Sequence, residues 1–293
     1  MERDRIRLSS GALSVSLCRP GAVYGGARFD HAGVMDEICW RGHSFCSVEL
    51  PAGVEGETTD GVGMISEMRG SEAETFHEGE LGSRFAKFGV GSLVNDRPGG
   101  YHFMHPYPIA EPCFHRVEAA ESRAVILTQQ PLCQGYAMTM VKDIRLEGDT
   151  LKMTTTLINT GEKDILTYEY NHNFMLIDGL ELGEGGYELT LPPMLSLDQV
   201  EGDYLTVEGR TLRFTASPEV FFFGLGAAGA PQERWRLLSR RAGVGLRETG
   251  GGPIERMSLW GKAHVVSAEA FLKIQAPVGG CVQWQRNWEF FAL

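Results

Sequence analysis

The chain has 293 residues, of which 43% are hydrophobic and 22% charged, a composition typical of folded proteins and unlike that of disordered ones. Lys and Arg total 27 against 38 Asp and Glu, and the resulting charge of -11 disfavours nucleic acid and anionic lipid as partners. No apolar run approaches the ~20 residues of a membrane span, and the start lacks the apolar core of a secretory signal, so we expect a cytoplasmic protein.

Segments in which apolar and polar residues alternate recur along the chain and predict β-strands. The pattern is clear in Ala12–Leu17 and again in Leu151–Ile158, where threonines are frequent, as in half-exposed strands. Glycine, Pro, Asn or Asp separates most of the segments, and no stretch keeps helical spacing beyond about three turns. Further strands are predicted at Arg123–Leu127, Tyr136–Ile144, Tyr187–Leu191, Thr211–Phe214, Val220–Leu225, Val244–Leu246, Ala263–Val266, Phe271–Gln275 and Cys281–Phe291.

These patterns predict an all-β fold, and a single large antiparallel β-sandwich fits them best. No linker, low-complexity tract or fixed-period repeat divides the chain, so residues 1–293 are predicted to form one domain. The glycine-rich segments Gly179–Gly186 and Gly250–Gly252 are predicted to be loops, since neither precedes the helix that a phosphate-binding glycine loop requires.

The six cysteines include no CxxC pair of the kind found in zinc ribbons and redox sites. An even number would permit three disulfides, but a chain of this length without an export signal favours reduced, buried thiols. The cysteines are Cys18, Cys39, Cys46, Cys113, Cys133 and Cys281.

Of the eight histidines, His172 has the most distinctive surroundings. It lies in LTYEYNHNFMLID between Asn171 and Asn173, with aromatic residues on both sides. Buried polar groups need partners, and three hydrogen-bonding side chains together suit a polyhydroxylated ligand. A regular strand would turn His172 to one face and both Asn side chains to the other, so a shared site requires a bulge or a strand end here.

A second candidate is Glu269, which lies among apolar and aromatic residues just before a predicted strand. Burial raises the pKa of a carboxyl group and makes it a better base at neutral pH. An ordinary exposed strand position is the alternative. Trp260, Trp284 and Trp288 could form a stacking platform for the apolar face of a sugar, although such residues more often belong to the core.

Two further segments carry cations or possible metal ligands. Arg84 and Lys87 lie three residues apart in GSRFAKFGVG, where an arginine fork would suit hydroxyls, carboxylates or phosphates and a pair of surface cations is the alternative. His102 and His105 lie in GGYHFMHPYPI and could bind a metal together with Glu111. Because His-x-x-His on irregular structure has no fixed geometry, we predict no metal site here.

Taken in order, these segments resemble the galactose mutarotase-like superfamily, which includes aldose 1-epimerases. Gly26–Gly42 resembles the opening pair of strands, and Gly82–Gly91 resembles the arginine-bearing loop near the sugar site. YNHNF, Tyr170–Phe174, resembles the Asn-His motif, whose histidine is the general acid. Trp260–Phe291 resembles the closing strands, where a glutamate acts as the base.

The resemblance implies an aldose 1-epimerase-like enzyme that interconverts the anomers of an aldose by ring opening, without cofactor or metal. His172 would be the general acid and Glu269 the general base, with Glu255 and Glu289 as alternatives for the base. We expect the acid and the base to face one another across a pocket about one sugar ring wide. The cations among the sugar-binding candidates would leave room for a phosphorylated or acidic sugar. These candidates are Arg28, Arg84, Lys87, His102, His105, Asn171, Asn173 and Trp260, with His102 and His105 as alternatives for a second histidine.

Two other functions fit the same residues. The first is a sugar-binding or regulatory module on the same fold without catalysis, since a fold does not fix a function. The second is a metal-dependent isomerase or lyase that uses His102 and His105.

Overall fold

The computed structural model describes residues 4–70, 75–76 and 80–293. Within these ranges the chain forms two large antiparallel sheets, a three-stranded sheet and a one-turn helix, α1 (Leu182–Gly185). The predicted all-β class is therefore confirmed, whereas the division of residues 1–293 into one domain stays a prediction. No helix in the described ranges is long and apolar enough to cross a membrane.

The first sheet carries the candidate site. Eight of its strands form one continuous path, and β4 (His43–Ser44) pairs with β3 beside that path. In spatial order the path is β1 (Arg5–Ser10), β2 (Leu13–Cys18), β3 (Met35–Trp40), β5 (Met64–Arg69), β13 (Ile165–Asn173), β21 (Val265–Ala276), β20 (Ile254–Lys262) and β17 (Phe221–Gly229).

The second sheet has ten strands and packs against the first. In spatial order it comprises β15 (Leu205–Glu208), β16 (Thr211–Phe214), β14 (Tyr187–Thr190), β18 (Glu233–Ser239), β19 (Val244–Thr249), β22 (Cys281–Ala292), β12 (Thr150–Asn159), β11 (Met138–Glu147), β10 (Arg123–Gln129) and β9 (Phe114–Ala119). The small sheet comprises β6 (Arg84–Lys87), β7 (Gly91–Val94) and β8 (Ile109–Pro112).

Where apolar and polar residues alternate in the sequence, buried and more exposed side chains alternate along the strand. In β12, Leu151, Met153 and Leu157 are buried and join the main core, which also contains Val15 and Leu17 of the first sheet. Successive side chains of a strand point to opposite faces, so alternate residues of strands such as β12 face this shared core. The resulting architecture is the sandwich that the sequence predicts.

Several local predictions are wrong. Ala263–Val266 is predicted as a strand, but residues 263 and 264 form the turn between β20 and β21. Glu269 lies inside β21 and not before a strand, because β21 begins at Val265. Gly26–Gly42 contains only one strand of the path, β3, and Gly179–Gly186 contains helix α1 within its loop.

The cysteines are free thiols, as the sequence predicts. Their predicted burial holds for Cys18, Cys113 and Cys133 but is wrong for Cys281, which begins β22 and is exposed. Cys39 and Cys46 are only partly buried.

A buried group of four charges joins the two sheets. Arg286 of β22 donates to Glu169 Oε2 of β13 at 2.8 Å and to the Ala270 carbonyl oxygen of β21 at 2.8 Å. Glu248, which also contacts Arg286, accepts a hydrogen bond of 2.9 Å from Arg234. Two arginines and two glutamates balance one another, so the cost of burying each charge is offset by its partners.

Replacing Arg286 with methionine should lower the free energy of unfolding by about 3–5 kcal/mol, because Glu169 and Glu248 would remain buried with one partner fewer. Denaturant titration of both proteins measures the difference. Arg247→Met is the control, since the salt bridge of Arg247 with Glu289 is partly exposed and should contribute less than about 1 kcal/mol. Equal losses in the two variants would contradict the structural role assigned to the buried group.

Candidate functional site

Neighbouring strands of the first sheet place polar side chains side by side on its outer face. Ser258 of β20 is paired with Glu269 of β21, and Arg256 is paired with Phe271. His172 of β13 reaches the same face, since its Nε2 lies 3.1 Å from Glu269 Oε1. Alternate residues of adjacent strands thus build a single floor.

A cleft of about 750 Å³ opens over this floor. Its lining combines aromatic rings with charged side chains, a mixture that suits a small polar ligand with an apolar face. The cleft is lined by Arg28, Glu49, Glu57, Arg69, Phe103, Met104, His172, Val220, Phe221, Phe222, Arg256, Ser258, Trp260, Lys262, Glu269 and Phe271.

Aromatic rings fix the position of His172. Its imidazole stacks on Phe174 with ring centroids 4.0 Å apart and meets the edge of Trp260 at 5.5 Å. The side chain is only 5% exposed, and its Nδ1 has no hydrogen-bond partner among the described residues. The ring is therefore held by packing, and Nε2 is the nitrogen that faces Glu269.

Burial sets the protonation of this pair. It raises the pKa of Glu269 to about 8, against the weaker effects of Arg28 and of the Ser267 hydroxyl, which donates to Oε1 at 3.2 Å. Burial also lowers the pKa of His172 well below its usual value, and the charge of Arg28 acts in the same direction. At neutral pH, Glu269 and His172 therefore hold one proton between them, and the two groups are close enough to exchange it.

A second carboxylate, Glu67 of β5, lies fully buried behind the cleft wall. It accepts hydrogen bonds of 3.0 Å from Arg28 Nε and from Lys87 Nζ, and it also accepts one from the Tyr170 hydroxyl. Burial alone would raise the pKa of Glu67, but Lys87 and Arg28 outweigh it and hold the pKa at about 2. Glu67 is therefore charged at neutral pH and fixes these partners in place.

The structure brings four of the sequence candidates into the cleft: Arg28, His172, Trp260 and Glu269. Lys87 lies behind the cleft, where it is fully buried and bonded to Glu67 and to the Met68 carbonyl oxygen.

The structure does not bring Asn171 and Asn173 into the cleft. Strand β13 stays regular through Asn173, with Asn171, His172 and Asn173 paired in turn to successive residues of β5, so no bulge turns the amides towards His172. The amide of Asn171 instead donates to Asn173 Oδ1 at 2.8 Å, and Asn173 donates to the Ala268 carbonyl oxygen at 2.8 Å.

Arg84, His102 and His105 also lie outside the cleft lining. Arg84 is exposed on β6 and forms a salt bridge with Glu111 at 3.5 Å. His105 Nε2 lies 2.7 Å from Asp96 Oδ1, and His102 is exposed. The same segment contributes Phe103 and Met104 to the cleft, and both side chains are half-buried there.

The alternatives for the base and the other tryptophans lie elsewhere. Glu255 is exposed on β20, and Glu289 of β22 pairs with Arg247. Trp284 and Trp288 are buried on β22 of the second sheet, so they form no platform with Trp260.

Sequence analysis missed Glu67, Arg69, Phe103 and Arg256. The segment MISEMR alternates so that Ile65, Glu67 and Arg69 share one face of β5, a pattern that is usually typical of a strand with a solvated face. Glu67 is buried because the loop that carries Arg28 and the small sheet that carries Lys87 cover this face. That cover depends on contacts between distant segments, which the alternation alone does not encode.

Among the described residues, no group of three or more His, Cys, Asp and Glu side chains is arranged to hold a metal ion. His102, His105 and Glu111 in particular do not converge: Glu111 contacts Arg84, and His105 contacts Asp96.

No protein-family model and no curated protein sequence matches this chain. Solved structures do match it over nearly its whole length. The Slr1438 protein from Synechocystis sp. PCC 6803 has a TM-score of 0.60 at 14% identity and covers 99% of this chain and 96% of its own. A galactose mutarotase-like protein from Lactobacillus casei ATCC 334 has a TM-score of 0.61 at 11% identity, with 98% and 100% covered.

A third match is galactose 1-epimerase from Lactobacillus acidophilus NCFM, with a TM-score of 0.57 at 11% identity and with 98% of this chain and 94% of its own covered. At identities this low, the matches show a shared architecture and not shared active-site residues. They confirm the resemblance found in the sequence at the level of architecture: this chain has the galactose mutarotase-like fold.

Proposed function

We propose that this protein is an aldose 1-epimerase-like enzyme that speeds the interconversion of the α and β anomers of a small sugar. The observation that carries the proposal is the contact between His172 Nε2 and Glu269 Oε1, 3.1 Å apart on the floor of an aromatic-lined cleft. The proposal is further supported by the fold, which the chain shares with structures described as mutarotase-like or as a galactose 1-epimerase.

Anomer exchange needs two proton transfers. The base takes the proton of the anomeric hydroxyl while the acid protonates the ring oxygen, the bond from the anomeric carbon to the ring oxygen breaks, and an open-chain aldehyde forms. Rotation about the bond from the first to the second carbon and closure from the other face then invert the anomer. Each proton transfer can contribute about 10²–10⁴-fold.

The sequence leads us to expect an acid and a base separated by the width of a sugar ring, but His172 and Glu269 are in contact. Contact is compatible with the reaction, because the anomeric hydroxyl oxygen and the ring oxygen are bonded to the same carbon. An edge of the ring that carries this carbon can approach both side chains at once. We therefore assign Glu269 to the anomeric hydroxyl and His172 to the ring oxygen.

Glu269→Gln and His172→Asn should each reduce the acceleration of anomer exchange by at least about 10²-fold, because each replaces one proton-transfer group with an amide that does not titrate. Exchange NMR or polarimetry over a panel of aldoses measures the rate. Glu255→Gln and His105→Asn are matched controls, since both residues lie outside the cleft lining. Sugar that binds with no acceleration in the unmodified protein would replace this proposal with the non-catalytic binding module.

The acceleration should be greatest where His172 and Glu269 hold one proton between them. Above pH about 8 the pair loses this proton, because Glu269 ionises while His172 is already neutral, and the acid is lost. At low pH both groups become protonated and the base is lost, but only well below the usual pKa of histidine. A bell-shaped profile of kcat/KM with its upper limb near pH 8 is expected, and a rate that keeps rising above pH 9 would contradict the assignment.

A further inference from the structure

Three arginines line the cleft. The guanidinium carbons of Arg28 and Arg69 lie 4.6 and 4.9 Å from the centroid of the same ring, that of Phe103. Arg256 lies across the floor on β20, with its guanidinium carbon 4.1 Å from the centroid of Phe271. All three line the cleft, and Lys262 adds a fourth cation further along β20.

Among the described residues that line the cleft, cationic side chains outnumber carboxyl groups, in a chain whose total charge is -11. Four cations line it, against the three carboxyl groups of Glu49, Glu57 and Glu269. Glu269 is protonated at neutral pH, since burial raises its pKa to about 8. Glu49 already accepts backbone hydrogen bonds from Thr59 at 2.8 Å and Gly61 at 3.1 Å. Behind the lining, Glu67 and Lys87 add one charge of each sign and leave this excess unchanged.

Arg256 is the arginine best placed to bind a ligand. It forms no salt bridge within the described ranges, whereas other exposed arginines such as Arg123 and Arg240 pair with carboxylates. The rings of Phe271 and Tyr168 lie 4.1 and 5.6 Å from its guanidinium carbon. Stacking on aromatic faces orients the guanidinium plane and leaves its N–H edge available for an acceptor.

The strand register sets the distance from Arg256 to the acid and base. Ser258 is paired with Glu269, and Arg256 lies two residues before Ser258 on β20, opposite Phe271. Two residues of a strand span ~7 Å, close to the size of a sugar ring. A sugar whose anomeric carbon lies at Glu269 would therefore present a substituent on the far side of its ring to Arg256.

We propose that Arg256, held by the rings of Phe271 and Tyr168 at the cleft, binds an anionic group on the sugar, so that the substrate is an aldose bearing a carboxylate or a phosphate. The assignment of a substrate rests on the proposed function, but the binding of an anionic sugar does not. Both anions accept paired hydrogen bonds from a guanidinium edge. The experiment below distinguishes the carboxylate from the phosphate.

The test measures anomer exchange by NMR for a neutral hexose, the corresponding hexuronate and the corresponding hexose 6-phosphate. Arg256→Gln should raise KM for the preferred anionic sugar by about 10- to 100-fold, the loss expected for one charge-assisted hydrogen-bonding group. KM for the neutral hexose should stay the same. Whichever of the hexuronate and the phosphate shows the larger change identifies the anion.

Arg236→Gln is the matched control. Arg236 lies on β18 of the second sheet, where its guanidinium carbon is 4.4 Å from the centroid of Phe291. The substitution removes the same charge and a similar stacking contact away from the cleft, so every KM should stay at the value of the unmodified protein. Thermal unfolding of both variants confirms that each is folded.

Three results would overturn the subsite: a neutral hexose preferred by the unmodified protein, an equal change in KM for neutral and anionic sugars in Arg256→Gln, or an equal effect of Arg236→Gln. If no sugar is exchanged faster, the same sugars are titrated by NMR. Binding of an anionic sugar that Arg256→Gln weakens would then support the subsite while rejecting the enzymatic function. Absence of binding would reject both.

Discussion

The cleft depends on one fully buried carboxylate. Glu67 binds Arg28 from the loop before β3, Lys87 from the small sheet and Tyr170 from the adjacent strand β13. If the loop, the small sheet and β13 did not supply these partners, Glu67 would be a buried negative charge without compensation. The free-energy cost of such a charge is far larger than the contribution of an exposed ion pair. The position of Arg28 in the cleft wall, and with it the charge that faces a ligand, therefore follows from a group that no ligand touches.

Two buried carboxyl groups of the same sheet face have opposite pKa shifts because their partners differ. Glu67 lies against Lys87 and Arg28, and their charges outweigh the effect of its burial, so it stays ionised. Glu269 is also buried, but its contacts are the Ser267 hydroxyl and the imidazole of His172, and burial dominates. When the surroundings lower the pKa of one carboxyl group and raise that of its neighbour, the first serves as a fixed charge and the second can exchange protons near neutral pH.

The alternation of side chains was enough to predict the all-β class and the faces of long strands such as β12, because period two is a local property. The cleft is formed by contacts between residues far apart in the chain, and here prediction was partial. His172 and Glu269 stood out because polar groups in aromatic surroundings need partners. Arg256 resembles any exposed strand residue until the register places it beside Phe271. The segment with Arg84 was identified, but a regular β6 keeps Arg84 exposed and buries Lys87.

The contact between His172 and Glu269 also explains how a site with one proton can run the proposed reaction in both directions. Transfer of the proton from Glu269 to His172 gives a carboxylate and an imidazolium, the base and the acid that open the ring. When the ring has opened, Glu269 holds the proton of the anomeric hydroxyl and His172 has given its own to the ring oxygen. The pair again carries one proton, now on Glu269, which is the arrangement that burial favours. Closure reverses both transfers on either face of the aldehyde, so the site needs no proton from solvent to complete a cycle.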